Sequence, residues 1–301
     1  MNISLAHFNK MPSSPKTTEL FARFEHFLNA ILQKIFPNWY AKAAAREIKL
    51  YPIGNLNPYS FLSHRWLSLP VVLESIKKSL SEQEDDWSKL TQILDKLVRE
   101  QEYTRALSIL SIDGVEQCAH VQDYPSLLSY GEDNSKEVSI ESAEDFDLKI
   151  YQAFPEENKP HRVVYREWDG RYYWINPVEP KLLAALQIYA QNKQRDGVFR
   201  ATIHVESLNT QALERLRQNW WLVLLRREQA QTMHDLMKHA GLDVALANVE
   251  WRRDDLAFLV ARKADLKVNR ILLNLLDGRS TQEVLEFGSF LSRKHYPFRA
   301  S

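Results

Sequence analysis

The stretch from Trp168 to Ala190, WDGRYYWINPVEPKLLAALQIYA, reads as a strand, a tight turn, a second strand and then, without a pause, a helix. Asp169-Gly170 is a strong turn signal, and Arg171 to Ile175 is aromatic and β-branched, as a half-buried strand requires. The loop Pro177-Val178-Glu179-Pro180 opens the helix, at a place where many folds bind a phosphate. Its chemistry suits helix starting better than anion binding. Pro180 fits a first helical turn and Glu179 favours the positive helix end, but two prolines remove two amide donors and the glutamate adds negative charge. Lys181 is the one cation left there to meet a phosphate.

Downstream, Val198 to Val205 alternates as a strand, Ser207-Leu208-Asn209 offers a cap, and Gln211 to Arg217 continues as a helix. Trp220 to Leu225, WWLVLL, is a continuous apolar run that reads as a strand buried on both faces. The spacing then predicts a helix over Gln229–His239 ended by Gly241, a strand over Val244–Arg252 and a turn at Asp254-Asp255. A strand over Leu256–Arg262, a helix over Lys267–Leu276 stopped by Asp277-Gly278, and a helix over Ser280–Ser292 follow. The result is a β-α-β-β-α unit.

Upstream, Met11-Pro12-Ser13-Ser14-Pro15 makes a poor core, and Leu20 to Ile35 carries a Phe-rich apolar stripe at helical spacing that Phe36-Pro37 stops. Ile48 to Ile53 reads as a short strand, Val71 to Leu80 as a helix opened by Pro70, and Trp87 to Glu102 as a further helix. Residues 104–122 read as a hairpin about Asp113-Gly114, and 131–147 as an acidic surface insertion with solvated carboxylates and no EF-hand spacing. No fixed-period repeat occurs.

The composition sets wide bounds. The 301 residues suffice for two domains or one elaborated domain, with 45% hydrophobic residues, eight Trp and twelve Tyr to build a core. Lys plus Arg and Asp plus Glu balance at 39 each, so no global field draws the chain to a polyanion or a membrane surface. The single cysteine, Cys118, excludes an intrachain disulfide and a cysteine-based metal cluster, which fits a reducing, cytoplasmic setting. No apolar run is long enough for a membrane span, and the N-terminus lacks the layout of a secretory signal.

The Asp169-Gly170-Arg171-Tyr172-Tyr173 hairpin, the small-residue helix with Leu183-Ala184-Ala185 and the later strand Ala201-Thr202-Ile203-His204-Val205 together resemble the core of the ParB/sulfiredoxin-like superfamily. Ile48 to Pro58, followed by Leu69-Pro70-Val71-Val72-Leu73-Glu74-Ser75-Ile76-Lys77, is similar to that family's opening strand and helix. The resemblance implies an α+β fold: an N-terminal arm and helix over 1–45, a ParB/sulfiredoxin-like mixed core over 46–218 with an insertion at about 81–160, and a C-terminal β-α-β-β-α unit over 219–301. It also implies a nucleotide pocket. The family's Gly-x-Arg-Arg step, however, falls on Asn176 to Lys181, which reads Asn-Pro-Val-Glu-Pro-Lys. The core is thus expected in a degenerate form.

The cations placed to serve such a pocket are Arg65 in SHRW, His161 and Arg162 in KPHR, Lys181 and Arg200; a surface ion pair is the competing use of each arginine. A second set, Trp220, Arg226, Arg227, Trp251, Arg252 and Arg253, mixes rings that stack bases with charges that neutralise phosphates. Cys118 and His120 share one strand face, the arrangement of a thiol and its base, against the plainer use of a lone cysteine as a small hydrophobe. His234 and His239 fall on different helix faces, and no Walker, Rossmann or Gly-x-Ser-x-Gly signature is present. The sequence therefore predicts a cytoplasmic binding or regulatory protein without catalysis, cofactor or metal, and with a protein as its partner. The alternatives are a nucleotide-dependent enzyme or nuclease at the degenerate pocket, and a nucleic-acid binder on the Trp/Arg strands.

Overall fold

The computed structural model describes residues 35–53, 69–83, 86–116, 124, 126–154, 161–168, 170–175, 179–248 and 256–292. In chain order they form α1 (Pro37–Glu47), α2 (Leu69–Ser81), α3 (Ser88–Asp95), β1 (Val98–Ser108), a 3-10 turn (Ile109–Ser111), β2 (Ile112–Glu116), α4 (Leu127–Asn134) and α5 (Ala143–Ala153). The hairpin of β3 (His161–Arg166) and β4 (Arg171–Ile175) leads to α6 (Pro180–Lys193), β5 (Val198–Leu208) and α7 (Thr210–Asn219). The last third comprises β6 (Trp220–Arg226), α8 (Arg227–His239), β7 (Val244–Asn248), β8 (Leu256–Arg262), α9 (Leu266–Leu276), β9 (Leu285–Glu286) and α10 (Phe287–Leu291). The architecture is mixed α+β on two sheets. One runs β1-β5-β3-β4-β2 and the other β7-β8-β6-β9.

Each sheet follows from its residue pattern. In β6, Leu222 and Leu224 enter one core with α2, α3, α7 and α10, whereas Trp221, Val223 and Leu225 enter another with α1, α8 and α9. A strand with both faces covered has no use for alternation, which is why WWLVLL is apolar throughout. In β5, Phe199, Ala201, Ile203 and Val205 point into a third core beneath α4, α5 and α6. The hairpin closes with Arg166 opposite Arg171, and Gly170 adopts φ 67°, a conformation glycine reaches without steric cost. From that hairpin Trp168 reaches into the core of the second sheet, which Val98 and Leu208 also touch, so the ends of β1 and β5 form the joint between the sheets.

Several expectations hold in detail. Asn209 caps α7 by accepting from the amides of Gln211 and Ala212, Pro180 is in the first turn of α6, and β6-α8-β7-β8-α9 follows the expected order. No helix among the described residues is long and apolar enough to cross a membrane.

Other expectations are corrected. Ile48–Ile53 is extended but joins no sheet: Pro52 has no amide to give, and Ile53 donates instead to the Gln282 carbonyl. The helix expected over 87–102 ends at Asp95, and Val98 onward is strand β1, because eleven residues of pairing with β5 outweigh the helix propensity of Arg, Glu and Gln. Asp113-Gly114 turns no hairpin. It lies inside β2, where the register with β4 slips between Ile112 and Gly114, and the Asp113 carboxylate accepts from the Tyr172 amide at 2.9 Å. Within 131–147, Phe146 is fully buried and Ser142 caps α5, so this acidic stretch is part of the packed fold, with Glu132, Asp133, Glu137, Glu141, Glu144 and Asp147 exposed. Val98–Ser108 and Ile112–Glu116 supply β1 and β2 of the first sheet, while α2 donates from Ser75 and Ser79 to the Asn248 carbonyl at the second. The helix expected over 280–292 is only α10, because Leu285 and Glu286 pair with β6. The expected Phe-rich helix before residue 35, the Cys118–His120 pair and the turn at 254–255 lie outside the described residues.

Trp220 shows what the second sheet relies on. It is 5% exposed, its ring lies 5.8 Å from that of Trp87, and the Arg262 guanidinium covers both rings at 5.5 and 5.8 Å. Trp220→Ala is expected to lower unfolding free energy by about 3–5 kcal/mol in a urea titration.

Candidate functional site

The first sheet has one face under α4–α6 and one face of different character. Because side chains alternate along a strand, the helix-covered residues of β5 leave Arg200, Thr202, His204 and Glu206 on the opposite face. The registers then fix their neighbours. From β3, Arg162 lies beside Thr202, Val164 beside His204 and Arg166 beside Glu206. From β1, Thr104 lies beside Thr202, Glu102 beside His204 and Glu100 beside Glu206.

At the centre is a buried ion pair. Arg166, with no exposed surface, places Nε 3.3 Å from Glu206 Oε2 and its guanidinium 4.2 Å from the centre of the Tyr173 ring. Burial pushes the Glu206 carboxyl above the usual glutamate range; Arg166 opposes that rise and Glu100 across the strand adds to it. Next along β5, His204 Nδ1 lies 3.5 Å from a Glu102 carboxylate oxygen, while its buried Nε2 has no hydrogen-bond partner among the described residues.

On the helix-covered face, beyond the reach of the helices, Arg105 extends from β1 over β5 and β3 to donate to the Tyr172 hydroxyl at 2.5 Å. Its guanidinium lies over the rings of Tyr172 and Tyr103 at 5.5 and 5.9 Å, and Tyr165 packs on Tyr172 at 4.6 Å. Burial raises the Tyr172 hydroxyl above its ordinary range, against the charge of Arg105.

Strand β1 carries both clusters at its rim. It is an edge strand whose only neighbour among the described residues is β5, and Arg99 to Ala106 are all exposed. Glu100, Glu102 and Thr104 line one face, and Arg99, Gln101, Tyr103 and Arg105 the other. Among the described residues nothing pairs with the outward row of backbone amides and carbonyls.

Among the described residues, those that the sequence suggested are not gathered in one pocket. Arg162 and Arg200 share the face opposite the helices, both exposed. His161 is on the helix-covered face, in edge contact with Phe154, Trp174 and Phe199. Lys181 is exposed at the start of α6, 3.8 Å from Glu137, and Glu179 precedes that helix without a side-chain cap bond. Arg65 lies outside the described residues. The second set also separates: Trp220 is packed away from solvent, Arg226 donates to the Pro52 carbonyl, Arg227 begins α8, and Trp251 to Arg253 lie outside the described residues. Trp220 is corrected to a core residue because Trp87 and Arg262 occupy the faces a base would need.

Arg166, Glu206, Tyr103 and Arg105 escaped the sequence reading. One signal was available: the polar alternation Arg200, Thr202, His204, Glu206 in a strand otherwise apolar. Among the described residues no group of three or more His, Cys, Asp or Glu could hold a metal ion. A groove of about 410 Å³ between α4 and α6, with Lys136 and Lys193 on its rim, contains none of the residues the sequence suggested.

DUF6685, described as a family of unknown function, matches residues 100–300, well over half of the chain. The chain belongs to DUF6685. No curated protein and no solved structure matches it. The DUF6685 segment begins inside β1, so the paired length of the edge strand from Glu100 onward and both sheets lie within it.

The ion pair sets a pH dependence. Glu206 is protonated more readily in the folded chain, so from its ordinary value of 4.5 upward the unfolded chain gives up its proton first. Stability should therefore fall as pH rises through the window between that value and the raised folded one, and Glu206→Gln should remove this slope in urea titrations at stepped pH. Glu206→Ala, which takes the Glu206 carboxylate away from the buried Arg166 guanidinium, should cost about 3–5 kcal/mol, while replacing both residues by Leu and Met should recover much of the loss.

Proposed function

We propose that the chain is a non-catalytic, cytoplasmic binding protein that recognises another polypeptide by strand addition at β1. The observation that carries this reading is the edge itself: eleven residues long, without an outward partner among the described residues, exposed from Arg99 to Ala106, and different in chemistry on its two faces. An incoming strand satisfies that row of amides and carbonyls, and the side chains at its two rims select it. The Arg166–Glu206 pair and the Arg105–Tyr172 bond support the reading by tying β1, β5, β3 and β4 into a fixed platform.

The likeness to the ParB/sulfiredoxin-like superfamily enters as that of a degenerate relative, on the strength of the Asn176 to Lys181 sequence. A nucleotide enzyme would need its cations together, and His161, Arg162 and Lys181 point to separate surroundings. The cytoplasmic assignment rests on the lone Cys118, which has no intrachain partner for a disulfide.

Adjacent proline substitutions test strand addition. In an edge strand alternate amides point inward and outward, so of Glu102→Pro and Tyr103→Pro one removes an amide bonded to β5 and the other an outward one. The inward variant should lose stability. The outward variant should fold as the parent does, yet lose saturable binding of extended decapeptides selected from a displayed library and the hydrogen-exchange protection they confer on β1. Peptides that bind both folded proteins equally, or protect a different surface, would refute the reading.

A further inference from the structure

We infer that the occupant of β1 is the same strand of a second copy of this chain, paired antiparallel about a two-fold axis through Thr104. This rests on the strand-addition reading and commits it to a partner. The geometry narrows the choice of register. A two-fold axis normal to the sheet keeps each face of β1 on the same side, so residues brought opposite one another must have the same parity, and the axis must pass through a residue.

The charges of β1 then exclude most centres. An axis through Gln101 sets Glu100 opposite Glu102 of the second copy. An axis through Glu102 sets that carboxylate opposite itself and Arg99 opposite Arg105, and an axis through Arg105 sets guanidinium opposite guanidinium. Like charges directly opposite destabilise a strand pair. An axis through Tyr103 avoids these oppositions but gives Arg105 only Gln101.

The Thr104 axis sets Tyr103 opposite Arg105 of the second copy, and does so twice. It sets Glu102 opposite Ala106, Glu100 opposite Ser108, and Thr104 opposite itself. The ring-to-guanidinium contact is one these two residues already make within the chain, at 5.9 Å, and the threonine contact repeats the 3.4 Å approach of Thr104 to Thr202. The pairing joins two five-stranded sheets edge to edge and satisfies the unpaired backbone row on both copies. The charges of β1, which deter arbitrary partners, here select one register.

Sedimentation of the full chain over a range of concentrations should show a reversible dimer of twice 35.2 kDa. Concentration should also raise hydrogen-exchange protection in β1 alone. In a Cys118→Ala background, Thr104→Cys should give a disulfide-linked dimer under mild oxidation, and Glu102→Cys should not. Tyr103→Ala with Arg105→Ala should weaken the dimer roughly tenfold. A monomer at every concentration whose β1 amides are still protected by a selected decapeptide overturns self-pairing and leaves strand addition standing. A monomer that binds no strand at β1 overturns both. A dimer whose Thr104→Cys variant fails to crosslink, or one that survives the outward proline, also overturns the inference.

Discussion

Strand β5 must satisfy three sets of neighbours at once, and the rest of the first sheet is arranged around that demand. One edge pairs with all eleven residues of β1 and the other with β3, while alternate side chains feed the core beneath α4–α6. The remaining side chains, Arg200, Thr202, His204 and Glu206, are left for the opposite face, where a carboxylate as buried as Glu206 needs a cation. The parallel register of β3 with β5 provides it at Arg166, and the antiparallel register of β4 with β3, which sets Tyr173 opposite Val164, leaves that ring in position to cover the guanidinium. A slip of one residue between β3 and β5 would send Arg166 into the apolar core and strand Glu206, so the ion pair fixes the alignment even if its net contribution to stability is small.

How legible each part was depends on where its partner lies. Strand β6 could be read because burial on both faces writes itself as an unbroken apolar run, and α6 because Pro180 and the Leu-Ala stripe act within a few residues. Strand β1 could not. With eight consecutive exposed residues it has no apolar period, and its Arg, Glu and Gln favour a helix until β5, a hundred residues on, offers a ladder. Asp113-Gly114 misled for a related reason: the pair relaxes a strand through a bulge as readily as it turns a hairpin, and the Tyr172 amide that takes up the carboxylate is remote in sequence. The site was obscured in the same way, since Arg166 and Glu206 are forty residues apart and meet only through a parallel register.

The cations singled out by the sequence show the opposite limit. His161 and Arg162 are adjacent in sequence, yet strand alternation sends one against Phe154, Trp174 and Phe199 and the other to the solvent face beside Thr202. Proximity along a strand thus argues against a shared pocket, whereas spacing by two argues for a shared face, as Arg200, Thr202, His204 and Glu206 demonstrate.

What remains open to solvent on the first sheet is decided by these same constraints. The helices cover one end of one face and Arg105, Tyr165 and Tyr172 cover the other, so the face is closed by side chains anchored across four strands. A strand held so firmly on one side keeps its other edge straight and presented, with little left to lose in ordering when a second strand arrives. Preorganisation of this kind lowers the entropy cost of association. In the proposed strand addition, that lower cost favours the edge of β1, with its acidic rim on one face and its Tyr103–Arg105 rim on the other.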